Sequence, residues 1–256
     1  MCQEYAVARL RPALGTLVAI EARACDPAIA SRAVDAGFAA IFAAEARLHP
    51  RRGGSDLARL NRASAGQRLP VHHWTAAMIR LCRRLHTLSG GRFDPALPGS
   101  GSIMNWLPSG PAAVFVHRRA HVDLGGIAKG YAVDLATVAL RRAGANAGLV
   151  NAGGDLRVFG GTPWPVVLRA GTTATLAMEL HDCAFAASDA ACDNRPREHQ
   201  GYYAGGPRGR RVVTGAAAIT APTAALADAL TKVVMFTPSA QSARILARCG
   251  ARAVSG

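Results

Sequence analysis

Lysine is almost missing from this 256-residue chain: of its thirty basic residues only Lys129 and Lys232 are lysines, and the others are arginines. Arginine fills the solvated basic positions by default, so the two ammonium groups become candidates for places that need a compact point charge instead of a planar fork. Aromatic residues are scarce too, at 5%, and no basic–aromatic repeat occurs. The stacking platforms of nucleic-acid binders are thus lacking, and a net charge of +14 does not by itself argue for a nucleic-acid partner. The six cysteines form no C-x-x-C pair, which excludes zinc knuckles and thioredoxin-type redox motifs. Reduced thiols in a cytoplasmic protein are expected. No apolar run reaches the roughly 20 residues that span a bilayer. Residues 1–16 hold no apolar segment suited to a signal peptide, so Cys2 is not expected to carry lipid. Neither the Rossmann nor the Walker glycine spacing is present.

What is present suits a substantial core, since 50% of the residues are hydrophobic. A strand is expected over 14–22. Asp26 and Pro27 then cap a helix whose inward face carries Val34, Phe38, Ile41, Phe42 and Leu48. A second helix is expected from Trp74 to Leu88, strands at 113–117 and 120–124, and a helix from Ile127 to Arg142. A hairpin at 147–160, strands at 165–170 and 174–180, a strand at 212–220 and helices at 222–236 and 239–249 complete the pattern. Residues 187–211 are polar and rich in Gly and Arg, and are read as a mobile loop. The fold class is α+β: one unit spanning 1–256, with mixed sheets and flanking helices.

Four segments could carry chemistry. In VDLGGIAKGYAVD, residues 122–134, a strand end, two glycines and a helix start with Lys129 in its first turn suit an anion such as phosphate, although a plain strand-to-helix turn has the same look. In NAGGD, residues 151–155, a hairpin turn with Asn151 and Asp155 capping their own backbone is the simpler reading. In ALADALTKVVMF, residues 225–236, Asp228 and Lys232 share a helix face. A carboxylate there is either half of an internal ion pair or a ligand for a cation such as Mg²⁺, and spacing does not separate the two. In GGRFDP, residues 90–95, Phe93 is a stacking candidate and core packing is its default.

Taken in order, LGT at 14–16, SDLARLN at 55–61, GGRFD at 90–94, VDLGGIAKGYAVD, VNAGGD at 150–155 and ADAL at 227–230 resemble the FAD:protein FMN transferases. That family of flavin transferases was first described as thiamine-biosynthesis lipoproteins. The resemblance implies FAD as substrate, with Mg²⁺. FMN would be attached by a phosphoester to a Thr or Ser of a target flavoprotein, releasing AMP. It places Leu14, Arg92, Phe93, Asp94, Asp123 and Lys129 against the flavin nucleotide. The main-chain oxygen of Gly126 and the carboxylate of Asp228 fall at the metal.

Three positions depart from the family pattern. Lys232 stands where a threonine is usual, four residues after the metal-binding aspartate. It would either pair with Asp228 and weaken a metal site or bring its ammonium to the phosphates as a catalytic group. No His-x-x-Asp-Pro segment occurs in 187–215, and Arg51 replaces a usual aromatic. No base for the acceptor hydroxyl is identifiable. The alternative function is therefore an FAD-binding protein or an FAD pyrophosphatase without protein transfer.

Overall fold

The structure is a computed structural model that describes residues 3–170, 173–189, 202–204, 211–213 and 215–254. Its centre is a seven-stranded sheet in which every neighbouring pair is antiparallel. The strands, in spatial order, are β1 (Tyr5–Ala13), β2 (Thr16–Ala24), β6 (Ala147–Ala152), β7 (Asp155–Phe159), β10 (Ala184–Asp189), β13 (Ala216–Ala221) and β14 (Arg252–Ala253). Three helices pack side by side on this sheet: α1 (Pro27–Leu48), α4 (Ala128–Arg142) and α5 (Ala224–Phe236). A smaller lobe joins α2 (Asp56–Arg62) and α3 (His73–Leu88) to the sheet β3 (Arg68–Pro70), β5 (Ala113–Val116), β4 (Trp106–Pro108). The hairpin of β8 (Trp164–Ala170) and β9 (Thr173–Leu180) and the pair β11 (Tyr202–Ala204), β12 (Arg211–Val213) form separate ribbons, and α6 (Ser239–Arg248) follows α5. The α+β reading holds.

Local sequence explains the elements. Asp26 caps α1 by accepting from the Ala28 amide, 2.6 Å away, as its position before Pro27 suggests. Val34, Phe38 and Ile41 are fully buried along one stripe of α1. Phe42, expected beside them, is 41% exposed because one further residue turns ~100° around the helix axis. At 22 residues α1 is long and apolar enough to cross a bilayer, which a search for unbroken apolar runs passed over; here it packs on β1, β2 and α4.

Four expectations need correction. Strand β1 was not foreseen. The segment 120–124 forms no strand, and only an isolated bridge joins Val122 to Ala96. The strand expected over 212–220 is two strands, β12 and β13, in different sheets. Of the loop expected at 187–211, residues 187–189 close β10, while 202–204 pair with 211–213; the remainder lies outside the described residues.

Gly130 sets how closely α4 and α5 approach. A Cβ there would lie 2.2 Å from the Ala224 carbonyl oxygen, at the N-terminus of α5. Gly130→Ala should therefore push the two helix starts apart and lower stability by about 2–3 kcal/mol, read from urea denaturation at constant m-value.

Candidate active site

The turn joining β1 to β2 is two residues long, Leu14 and Gly15, both at positive φ (54° and 71°). Such a hairpin turn suits glycine, but for leucine the left-handed backbone is strained. The Leu14 amide donates to Glu45 Oε1 at 3.2 Å, which fixes the turn against the last turns of α1. Gly153 and Gly154 make the equivalent turn between β6 and β7, and a Cβ on Gly153 would lie 2.6 Å from Thr16 Oγ1. The two hairpin tips are thus adjacent, at the end of the sheet where α4 begins.

The segment entering α4 is held by side chains of two other motifs. Asn61, at the end of SDLARLN, accepts from the Val122 amide at 2.8 Å and donates to the Val122 carbonyl at 2.9 Å. One amide side chain thus does what a neighbouring strand would do. The Asp123 amide donates to the Pro95 carbonyl at 2.9 Å, tying in the GGRFDP segment. Asp123 Oδ1 then accepts from the Gly125 amide at 2.8 Å, which forms the turn before α4.

Between these parts lies a cavity of about 280 Å³. Leu14, Ala44, Leu48, Leu124 and Ala128 give it apolar walls, and Glu45, Arg51, Asp123 and Lys129 give it polar ones. Leu14, Asp123 and Lys129, three of the residues expected at the flavin nucleotide, meet here. Arg92, Phe93 and Asp94 are not among its lining residues. Phe93 is 5% exposed and packs in the main core. Asp94 accepts from Ser102 Oγ at 2.6 Å and from the Ala96 and Ile103 amides, with His86 Nδ1 at 3.1 Å. Burial alone would raise its pKa, but these donors outweigh burial and hold the carboxyl below its ordinary range. It organises its own loop.

Behind the cavity is a buried group of charges. Asp228, on α5, is fully buried, and its Oδ2 accepts from the Gly130 amide in the first turn of α4 at 3.3 Å. Lys129 makes a short contact with Asp155 Oδ2 and sits 3.9 Å from Asp228 Oδ2. Lys232, one turn after Asp228, makes a short contact with Asp228 Oδ1 and also donates to the Asp228 carbonyl (3.1 Å) and to Ser188 Oγ (3.0 Å). Ser188 therefore donates its own proton to Thr231 Oγ1 at 2.8 Å, and Thr231 donates to the Asp228 carbonyl at 2.7 Å. The helix-face pair at 228 and 232 is an internal ion pair, and the Lys232 ammonium is directed at Asp228 and Ser188. In the NAGGD turn, Asn151 does cap its own backbone by accepting from the Gly154 amide, whereas Asp155 pairs with Lys129 instead. Asp155, Ser188 and Thr231 are site residues that spacing did not reveal.

These donors do not fit Mg²⁺. The stem of Lys232 lies along Gly126, and a Cβ on Gly126 would be 3.5 Å from Lys232 Cε. Among the described residues Asp155 and Asp228 are each already in contact with a lysine ammonium, so an added ion meets ion pairs in place of free anions. At 4 Å a unit charge pair is worth about 4 kcal/mol near a dielectric constant of 20. A divalent ion would thus gain about 8 kcal/mol from Asp228 and lose a similar amount to the Lys232 ammonium seated on it. The donors that the described residues leave to it do not repay its loss of hydration. Among the described residues no group of three or more His, Cys, Asp or Glu is arranged to hold a metal.

A helix start beside a half-apolar cavity, backed by a partly exposed lysine, a buried lysine and buried acids, suits an anionic ligand with an apolar part. The chain belongs to the ApbE family, whose family model matches residues 14–111 and 102–254, and this is the FAD:protein FMN transferase family that the motifs resemble. The flavinyl transferase ApbE of Pseudomonas stutzeri, in its apo form, is similar over 99% of this chain and 93% of its own, with a TM-score of 0.80 and 19% identity. The flavin transferase ApbE of Vibrio cholerae is similar over 98% and 93%, again with a TM-score of 0.80 and 19% identity. The ApbE protein of Thermotoga maritima aligns over 96% and 90%, with a TM-score of 0.75 and 21% identity. At these identities the likeness establishes the fold. A search of curated proteins gave no significant match.

Removing one member of the buried pair leaves the other uncompensated. Asp228→Ala should cost about 3–5 kcal/mol in urea denaturation, and the double change Asp228→Ala with Lys232→Met should recover most of that loss.

Burial, reinforced by the Asp228 charge and opposed by Lys129, raises the Asp155 pKa from 3.8 to about 6. Between those values the unfolded chain ionises this carboxyl while the folded chain keeps its proton. Stability from Asp155 is therefore present at low pH and is lost as pH rises toward 6. Measured relative to Asp155→Asn, the wild type should lose stability across that window, and a flat difference would remove the assignment.

Proposed function

We propose that this chain transfers FMN from FAD to the hydroxyl of a Thr or Ser on a target flavoprotein and releases AMP. Family membership across residues 14–254 supports flavin transfer. The observation that carries the residue-level reading is the junction at Lys129, which both lines the cavity and touches the buried acids. In this reading Leu14, Leu48 and Ala128 offer apolar surface to part of the flavin nucleotide. At about 280 Å³ the cavity is at the small end for ligand sites, so the rest of the dinucleotide extends over open surface.

The first turn of α4 and the Lys129 ammonium face the diphosphate, where negative charge concentrates. The acceptor hydroxyl oxygen bonds to the phosphorus on the flavin side as the bond from that phosphorus to the bridging oxygen breaks. AMP leaves with the bridging oxygen, and the hydroxyl proton passes to the medium. This chemistry asks chiefly for positioning and charge. Mg²⁺, which the resemblance implies at Gly126 and Asp228, does not fit the donors described above, and no step here uses it.

The test is mass spectrometry of a flavoprotein target incubated with this chain and FAD. A gain of one FMN on a Thr or Ser is expected. Conversion of FAD to FMN and AMP without a labelled protein would select the pyrophosphatase, and bound but intact FAD a binding protein. Lys129→Ala should weaken FAD binding by about tenfold or more, the loss of one charge-assisted contact, measured by flavin fluorescence.

A further inference from the structure

We propose that the ammonium of Lys232 is a built-in replacement for a divalent cation, so that this chain binds and uses FAD without Mg²⁺. The inference rests on the flavin-transfer reading above and deepens it at the same site. The residues expected to hold the ion are Gly126 and Asp228; Lys232 is bonded to the second and its stem runs beside the first. Its Nζ is in short contact with Asp228 Oδ1, and its Cε lies 3.5 Å from where a Gly126 Cβ would be. The stem of the lysine thus passes beside the glycine, and its ammonium ends on the acid.

It is also built into place. Lys232 is 7% exposed, and its ammonium reaches acceptors on two elements: the Asp228 carboxylate and carbonyl on α5, and the Ser188 hydroxyl at the end of β10. The Ser188–Thr231–Asp228 hydroxyl chain orients that serine to accept. An ammonium supplies three donors and no acceptor, and among the described residues it meets these three acceptors. A bound divalent ion would neutralise Asp228 and fix it at the mouth of α4. The lysine does both permanently. Lys232 is then a positioning residue: it holds Asp228 neutralised against the Gly130 amide, and Lys129 is the cation that faces the ligand.

The chemistry is unchanged in its balance, since FAD and a protein hydroxyl still give the phosphoester of FMN and AMP. What changes is the source of the positive charge.

The test is calorimetry of FAD binding to the full chain, with EDTA or with Mg²⁺, followed by the FMN-transfer assay in both conditions. Affinity and rate should differ by less than about threefold between them. Lys232→Thr should remove the internal cation and create dependence on the ion: FAD affinity in Mg²⁺ should exceed that in EDTA by about tenfold or more. Mn²⁺, added alone and followed by electron paramagnetic resonance, should bind this variant and not the wild type. A purely structural role for Lys232 would weaken both conditions equally and overturn the proposal. Wild-type FAD binding that is lost in EDTA and restored by Mg²⁺ would overturn it as well, without needing a folded variant. FAD binding in neither condition would bring down the flavin reading itself, and the inference with it.

Discussion

The site depends on two helices that start at the same place and hold each other's first turn. Asp134, on α4, accepts from the Ala224 and Ala225 amides that open α5, at 2.9 Å each. Asp228, on α5, accepts from the Gly130 amide that opens α4. The first amides of a helix lack partners within it, and its dipole favours negative charge there. Each helix therefore supplies the acid that the other needs. Arg157 reaches Asp134 at 2.7 Å from β7, which ties the arrangement to the sheet. Burial raises the pKa of Asp134, although the two amides and Arg157 oppose the shift. The exchange works only because Gly130 lets the Ala224 carbonyl into the space that a side chain would fill.

This geometry gives Asp228 a structural duty before any catalytic one. A carboxylate so deep is tolerated because its two oxygens divide the work: Oδ2 takes the Gly130 amide and faces Lys129, and Oδ1 takes Lys232. Lys129 continues the line outward, from Asp155 and Asp228 to the cavity wall. Charge thus passes from a buried interior to a partly exposed ammonium at the cavity wall. A preorganised site of this kind needs little rearrangement when charge develops on a transferred phosphoryl group.

Much of this was readable in the residues, and the failures have physical causes. The helices followed from apolar periodicity and caps, because both are local. β1 escaped because it carries Arg9, Arg11 and Pro12 on an edge strand, where proline and charge are tolerated and alternation is blurred. The segment 120–124 looked like a strand because its residues suit one. The hydrogen bonds of its central residue, Val122, instead go to Asn61, a partner 61 residues earlier in the chain that no local pattern announces. Leu14, Asp123 and Lys129 are expected from the motifs, and one cavity brings the three together. Phe93 and Asp94 belong to the same run of motifs but serve the core and their own loop. Asp155 was read as a turn residue because its real partner, Lys129, is 26 residues away.

The two lysines in an arginine-rich chain make sense at this scale. A guanidinium is a planar fork whose donors lie in one plane, which suits the paired oxygens of one carboxylate. Around Lys232 the acceptors among the described residues include a carboxylate oxygen, a main-chain carbonyl and a serine hydroxyl, which do not present such an edge. A tetrahedral ammonium can address three separate acceptors at once, on a stem slim enough to lie along Gly126. Arginine at 232 would have to bring a wider head into the same buried space, with donors left unmatched, and each unmatched buried donor costs about 1–3 kcal/mol. At 129 the demand is different but points the same way: one ammonium between Asp155 and Asp228, with the cavity beyond, needs a compact charge that can turn toward whichever anion is present. The chain keeps lysine at two places where a compact charge sits among separate oxygens, and uses arginine at its other basic positions.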